Sequence, residues 1–325
     1  MKTKRAFLLL AVAVMPEAVF GSCGSAFCSV NTGFEARGVW TGPGTRVDLR
    51  YEYIDQNQLR SGTSKVSPEG EPGTHDELST LNRNWLLQVD HSVDSHWGGT
   101  LIVPYVQRDH QHLSNPHLDG DHAEASATDS ELESWRIREI GDVRLIGRYQ
   151  FAADLDSGRA YGVRFGLKLP TGRYDVRNDA GEQAERSLQP GTGTTDLVLG
   201  AYYRGPLLDR GDWFASGYVQ GALNSREEFR PGTRFALDAG VSVPLASALS
   251  AQVQLNVLER WHDTGAQAEP QDSGGTFLFL SPGVSLALSQ RWTLYAFAQL
   301  PLYQRVDGTQ LTVRSGGVVG ASMTF

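Results

Sequence analysis

Four of the eight histidines fall in two adjoining pieces, Asp109-His-Gln-His112 and His117-Leu-Asp-Gly-Asp-His122. Imidazole nitrogens beside carboxylates are the donor set of zinc and copper sites, so His110, His112, His117 and His122 are candidate metal ligands. Their spacing is irregular and no thiolate joins them, and a solvated acidic loop accounts for the same stretch more plainly. Asp119-Gly-Asp121 could hold calcium weakly, but the later glutamate of an EF-hand is absent. His112 and Ser114 stand two residues apart. On a strand that spacing puts both on one face, where an imidazole can activate a hydroxyl.

A second constellation is Cys23 and Cys28, the only two cysteines. They follow Met1-Lys-Thr-Lys-Arg5, an apolar run from Ala6 to Met15, and a small-residue cleavage pattern at Val19-Phe-Gly21. This is the anatomy of a secretory signal peptide over residues 1–21, and export into an oxidising space makes a Cys23 to Cys28 disulfide the expectation. Lipidation of Cys23 is a rival, although Phe20 stands where a lipobox carries an aliphatic residue. A metal or redox pair is another. No Cys-x-x-Cys-His sequence points to haem attachment.

The charged residues carry a third kind of chemistry, and its meaning depends on the elements that hold them. With 36 glycines, 10% aromatic residues and a formal charge of -8, the chain is rich in strand and turn formers and has no basic stripe for nucleic acid. Mean hydropathy is -0.31, and no apolar run is long enough for a spanning helix. A spanning strand needs only about ten alternating residues, so low hydropathy does not argue against a membrane.

From Thr45 onward the sequence shows such alternation in twelve segments. The spacing predicts strands over 46–55, 84–93, 97–108, 142–152, 161–169, 195–204, 212–223, 233–245, 249–260, 275–288, 291–303 and 312–325. The clearest is Tyr161-Gly-Val-Arg-Phe-Gly-Leu-Lys-Leu169, apolar at every odd position. Long polar interruptions follow the odd-numbered segments and short turns follow the even ones, the longest interruption being Asp109 to Trp135. That segregation is the pattern of an all-β, antiparallel up-and-down barrel of the outer membrane, with long outer loops and both chain ends at the periplasmic side. A soluble sandwich also alternates, but has no reason to segregate loop lengths. Trp85, Trp97, Trp135, Trp213, Trp261 and Trp292 lie at or near strand ends, as an interfacial girdle requires. Residues 45–325 would form the barrel and 22–44 a periplasmic amino-terminal segment.

Inward parity then assigns Arg46, Arg50, Arg144, Arg148, Arg164, Lys168, Arg204, Arg234, Arg260 and Arg314 to the lumen. Asp48, Glu52, Asp90, Asp142, Asp196 and Asp238 face them. Opposite charges on neighbouring strands can simply fill a narrow interior and satisfy one another. Alternatively, the basic excess makes a path for anionic or aromatic-acid solutes.

Particular residues carry three resemblances. The ending Gly320-x-x-Met323-x-Phe325 looks like the terminal signal by which outer-membrane barrels are handed to their assembly machinery, although Val318 stands where that signal usually has a polar residue. His112-Leu-Ser114-Asn115 resembles the His-x-Ser-Asn core of outer-membrane lipid hydrolases, but Pro116 replaces their glycine. Leu167-Lys-Leu-Pro-Thr-Gly172 and Leu188-Gln-Pro-Gly-Thr-Gly-Thr-Thr-Asp196, running into Leu197-Val-Leu-Gly-Ala-Tyr-Tyr203, resemble the outer-membrane family named for the meta-pathway of phenol degradation. Membership implies a barrel loosely related to channels of the fatty-acid-transporter type, located in the cell outer membrane among its lipids. The expectation is a channel or transporter for small solutes, with no enzymatic activity, no cofactor and no nucleic-acid partner. Alternatives are a structural sleeve in an envelope complex and, more remotely, a lipid hydrolase.

Overall fold

A computed structural model describes residues 42–68, 75–114, 131–154, 158–207 and 211–325. Residues 1–21, expected to be a signal peptide, and Cys23, Cys28, His117 and His122 lie outside the described residues. In chain order the strands are β1 Gly44–Ser61, β2 Ser64–Lys65, β3 His75–Ser92, β4 Trp97–Ser114, β5 Glu131–Ile140, β6 Arg144–Asp154 and β7 Arg159–Lys168. They continue as β8 Asp196–Leu207, β9 Gly211–Ala222, β10 Arg234–Pro244, β11 Leu249–Arg260, β12 Gly275–Ala287, β13 Trp292–Val306 and β14 Thr309–Thr324. All pairings are antiparallel, β6 pairs with β4 and β3 with β1, and β14 closes on β1 from Arg46 opposite Thr324 to Ser61 opposite Thr309. The Phe325 N–H extends that ladder by donating to the Thr45 carbonyl at 2.8 Å. β2 and β5 stand apart from the ring of twelve, which is a closed antiparallel barrel.

Alternation along each wall strand sorts side chains between two solvents. On β1, Arg46, Asp48 and Glu52 are buried inside while Leu49 and Tyr53 are exposed outside. On β3, Gln88 and Asp90 turn in while Trp85 and Leu87 turn out. An apolar exterior around a polar interior is the arrangement a lipid bilayer stabilises. Trp97 tilts against Tyr149 at 4.7 Å and Tyr203 stacks on Trp213 at 4.8 Å among the outward aromatics.

The wall is uneven in height. β1, β3 and β4 each run 18 residues, whereas β7 and β8 end their pairing at Lys168 and Asp196. Above the apolar band the tall strands meet water outside, so their outer faces are polar there. Arg83 and Arg138 both pair with Asp109 across β3, β4 and β5. The upper half of β4, from Tyr105 to Ser114, pairs with β5, and its lower half, from Trp97 to Ile102, pairs with β6. β5 and β6 thus form one line broken at Gly141-Asp142-Val143.

Four expectations need correction. The stretch from Asp109 to Trp135 is not all interruption, because β4 continues to Ser114 and β5 begins at Glu131. No long loop follows β13: it turns into β14 through Asp307 and Gly308, where Gly308 takes a left-handed φ of 62°. Trp135 belongs to no girdle; it is only 4% exposed and packs inside with Ile137 and Leu188. Arg314 does not line the lumen. An extra residue there, opposite the Asp55 to Gln56 step, shifts parity. Val313 consequently packs inside against Ile54 and leaves Arg314 exposed.

Candidate functional site

The interior is shaped by the segment 169–195 between β7 and β8, which turns into the barrel instead of standing above it. Asp142, at the break between β5 and β6, accepts the backbone N–H groups of Gly172 and Thr192, each at 3.0 Å. It also accepts the Lys168 ammonium at 2.9 Å. Arg108 on β4 donates to the carbonyls of Ser187 and Leu188. A Cβ on Gly191 would run into the Gly172 carbonyl, so the glycines of the 188–196 motif are what close approach demands. Leu188 then packs beside Trp135 and Ile137, and the Trp135 indole donates to the Glu182 carbonyl at 3.1 Å.

This segment divides the lumen into two spaces. The inner chamber, about 210 Å³, is lined by Arg50, Arg108, Arg144, Lys168, Arg186, Arg234 and Arg260, seven cations, against Glu52, Asp142 and Asp196, three carboxylates. The outer vestibule, about 660 Å³, is lined by Glu133, Glu182, Glu185, Asp263 and Glu269, five carboxylates, against Arg186 and His112. Arg186, Ser187 and Phe229 border both. Arg186 lies over the Phe229 ring at 4.8 Å and the Tyr174 ring at 4.9 Å. Burial there pulls its pKa down from the ordinary guanidinium value, and the Glu227 carboxylate opposes that shift. Glu227 and Glu228 hold left-handed φ of 49° and 54° beside Phe229, in the turn that places it in the lumen.

Of the predicted lumen residues, Arg50, Arg144, Lys168, Arg234 and Arg260 line the chamber. Lys168 is held by Asp142 and, at 3.2 Å, by Asp196. Arg50 pairs with Glu52 at 3.0 Å. Arg46, Arg148, Arg164 and Arg204 lie elsewhere along the wall. Arg46 reaches Thr324, Arg148 donates to Ser92 Oγ at 2.8 Å, Arg164 covers the Tyr202 ring at 4.9 Å, and Arg204 pairs with Asp212 at 2.6 Å. Arg108 and Arg186 were missed. Arg108 closes a predicted strand on the inward parity of Val106 but was not assigned to the lumen, whereas Arg186 sits in a stretch read as a loop, where neither alternation nor composition marks it as interior.

The candidate metal ligands divide similarly. His110 and His112 are on β4, pointing inward, 1% and 3% exposed. Ser114 follows on the same strand and lines the vestibule with His112. The His112 Nε2 meets Glu133 Oε2 at 2.9 Å. Glu77, on β3, joins the two histidines: one donor atom from each of the three lies within 4.8 Å of the others. It was missed because the predicted strand begins only at residue 84, whereas β3 begins at His75, and because nothing local in the sequence announces the Leu78 bulge that sets its facing.

A family model described as MetA-pathway of phenol degradation matches residues 57–312. No curated protein matches the sequence. Among solved structures, the COG4313 outer membrane channel from Pseudomonas putida F1 is 13% identical, with a TM-score of 0.67 over 91% of this chain and 100% of that one. The KdgM porin (8% identity, TM-score 0.44) covers 86% of this chain and 99% of its own. The NanC porin (10%, 0.44) covers 85% and 98%. At such identities the likeness is one of fold. The matched span takes in the inward segment and all but the two ends of the barrel, and so this outer-membrane β-barrel belongs to the MetA-pathway of phenol degradation family.

Proposed function

We propose that the protein is an outer-membrane channel that admits small organic anions, with the inner chamber as its selecting element. The observation that carries this reading is the lining of that chamber, seven cations against three carboxylates in a protein whose net charge is -8. Positive groups concentrated in a confined space where water is scarce attract anions and repel cations more strongly than they would in bulk solvent. A volume of about 210 Å³ is below the usual size of drug-binding pockets, which begin near 300 Å³, so the solute is small. Phe229 and the planar Arg186 group lying on it suit a flat carboxylate, since a guanidinium both pairs with the acid and stacks on a ring.

Planar-bilayer recordings in a salt gradient test this. The reversal potential should be biased toward anions, and Arg144→Glu with Arg234→Glu should move it toward cations. A folded barrel whose reversal potential is cation-biased from the start would overturn the reading. A second reading, the structural sleeve, draws on the ion pairs inside the wall, such as Lys168 with Asp142 and Arg260 with Asp263. Charges serving as interior filling predict a folded barrel that passes neither current nor solute.

A further inference from the structure

The outer vestibule holds a cluster that the channel reading does not use. Strand register assembles it: Glu77 on β3 and Glu133 on β5 flank His112 on β4, while Thr80 and Trp135 flank His110. The Leu78 bulge turns Glu77 to the same side as Thr80. Glu77 is 1% exposed, and neither of its carboxyl oxygens makes a well-formed hydrogen bond to an N–H or hydroxyl among the described residues, with the Glu185 carboxyl standing against it. The His110 Nε2 is likewise without a hydrogen bond and lies 3.5 Å from Glu77 Oε2. Two half-buried carboxylates, Glu185 and Glu269, add their charge to that of Glu77. A buried carboxylate surrounded by other carboxylates is costly unless it takes up a proton or a cation joins it.

Each imidazole is also anchored through one nitrogen. His110 Nδ1 is 2.8 Å from Thr80 Oγ1, and His112 Nε2 is 2.9 Å from Glu133 Oε2. When those nitrogens carry the protons, His110 Nε2 and His112 Nδ1 keep their lone pairs. An outer partner that fixes tautomer and ring orientation is the usual support of a metal-ligating histidine. We propose that Glu77, His110 and His112 form a binding site for a divalent transition-metal cation of the zinc type, entered from the acidic vestibule. Two imidazoles and one carboxylate are a known zinc donor set that leaves a further position open, and Glu185 or Glu269 can fill it from the facing loops. A bound cation would neutralise the carboxylates and tie those loops to the wall.

The test is zinc titration of the full-length, chelator-treated protein in detergent, followed by calorimetry. One zinc per barrel should bind saturably. Glu77→Gln and His110→Gln should each weaken it by about tenfold or more, while His117→Ala with His122→Ala should leave it intact. Heat-modifiable migration on gels confirms that each variant is folded. No saturable uptake, or uptake that persists in folded Glu77→Gln/His110→Gln/His112→Gln protein, would overturn the site. A second measurement needs no ligand variant. Trp135 lies 4.7 Å from the His112 ring and 5.7 Å from the His110 ring, so stoichiometric copper(II) should quench its fluorescence. Equal quenching of wild type and Trp135→Phe places the metal elsewhere and ends the proposal.

Discussion

Asp142 shows how one side chain can hold a pore in shape. Its carboxylate takes hydrogen bonds from two backbone N–H groups of the inward segment, from the Thr192 hydroxyl and from the buried Lys168 ammonium. Removing it leaves Asp196 as the one carboxylate on Lys168, beside the Thr192 and Thr194 hydroxyls, and two segment N–H groups without their acceptor. Breaking a buried ion pair from one side costs about 3 to 5 kcal/mol, so Asp142→Ala should lower the unfolding free energy by an amount in that range and the denaturant midpoint with it. Asp142→Asn, which still accepts hydrogen bonds, should lose less. Equal stability of wild type and Asp142→Ala, read by denaturant titration of heat-modifiable migration, would show that the segment is docked by other contacts. Parity alone placed Asp142 and Lys168 inside. Their partnership with residues 172 and 192 was hidden because the motif's glycines mark tight backbone geometry without saying what the backbone approaches.

At the scale of elements, the strands that cross the lipid were legible because bilayer and lumen impose opposite demands on alternate residues. The strand segments above the lipid were not. There the outside is also water, and β5 carries apolar Trp135 and Ile137 inward in alternation with Arg136 and Arg138, which reads as a polar loop with scattered hydrophobics. Bulges hid more, since an extra residue at Arg314 and another at Leu78 each reverse the facing of the residues beyond them. The inward segment yields a prediction of its own. Lys168 and Asp196 are paired neighbours where β7 and β8 end, so the barrel closes without residues 176–187. Replacing those residues with a short Gly-Ser linker should leave a heat-modifiable barrel and raise its single-channel conductance several-fold. Unchanged conductance in the folded variant would mean that the segment does not narrow the conducting path.

Across the whole molecule, charge is layered along the barrel axis. The wider outer space is acidic and the narrower inner one basic, with Arg186, Ser187 and Phe229 between them. Layering of this kind has an electrical consequence that neither space has alone. When the outside is made positive, cations enter through the acidic vestibule while anions enter through the basic chamber, so both accumulate where the two meet and conductance rises. Reversed polarity draws both away from the partition and conductance falls. Barrels inserted in one orientation should therefore pass more current with the extracellular side positive. At about 1 M salt the Debye length shrinks to roughly 3 Å, and the asymmetry should largely vanish. Reversing the vestibule with Glu182→Lys and Glu185→Lys should remove the asymmetry at low salt while leaving the anion bias set by the chamber. A symmetric current–voltage curve at low salt would show that ions bypass one of the two layers.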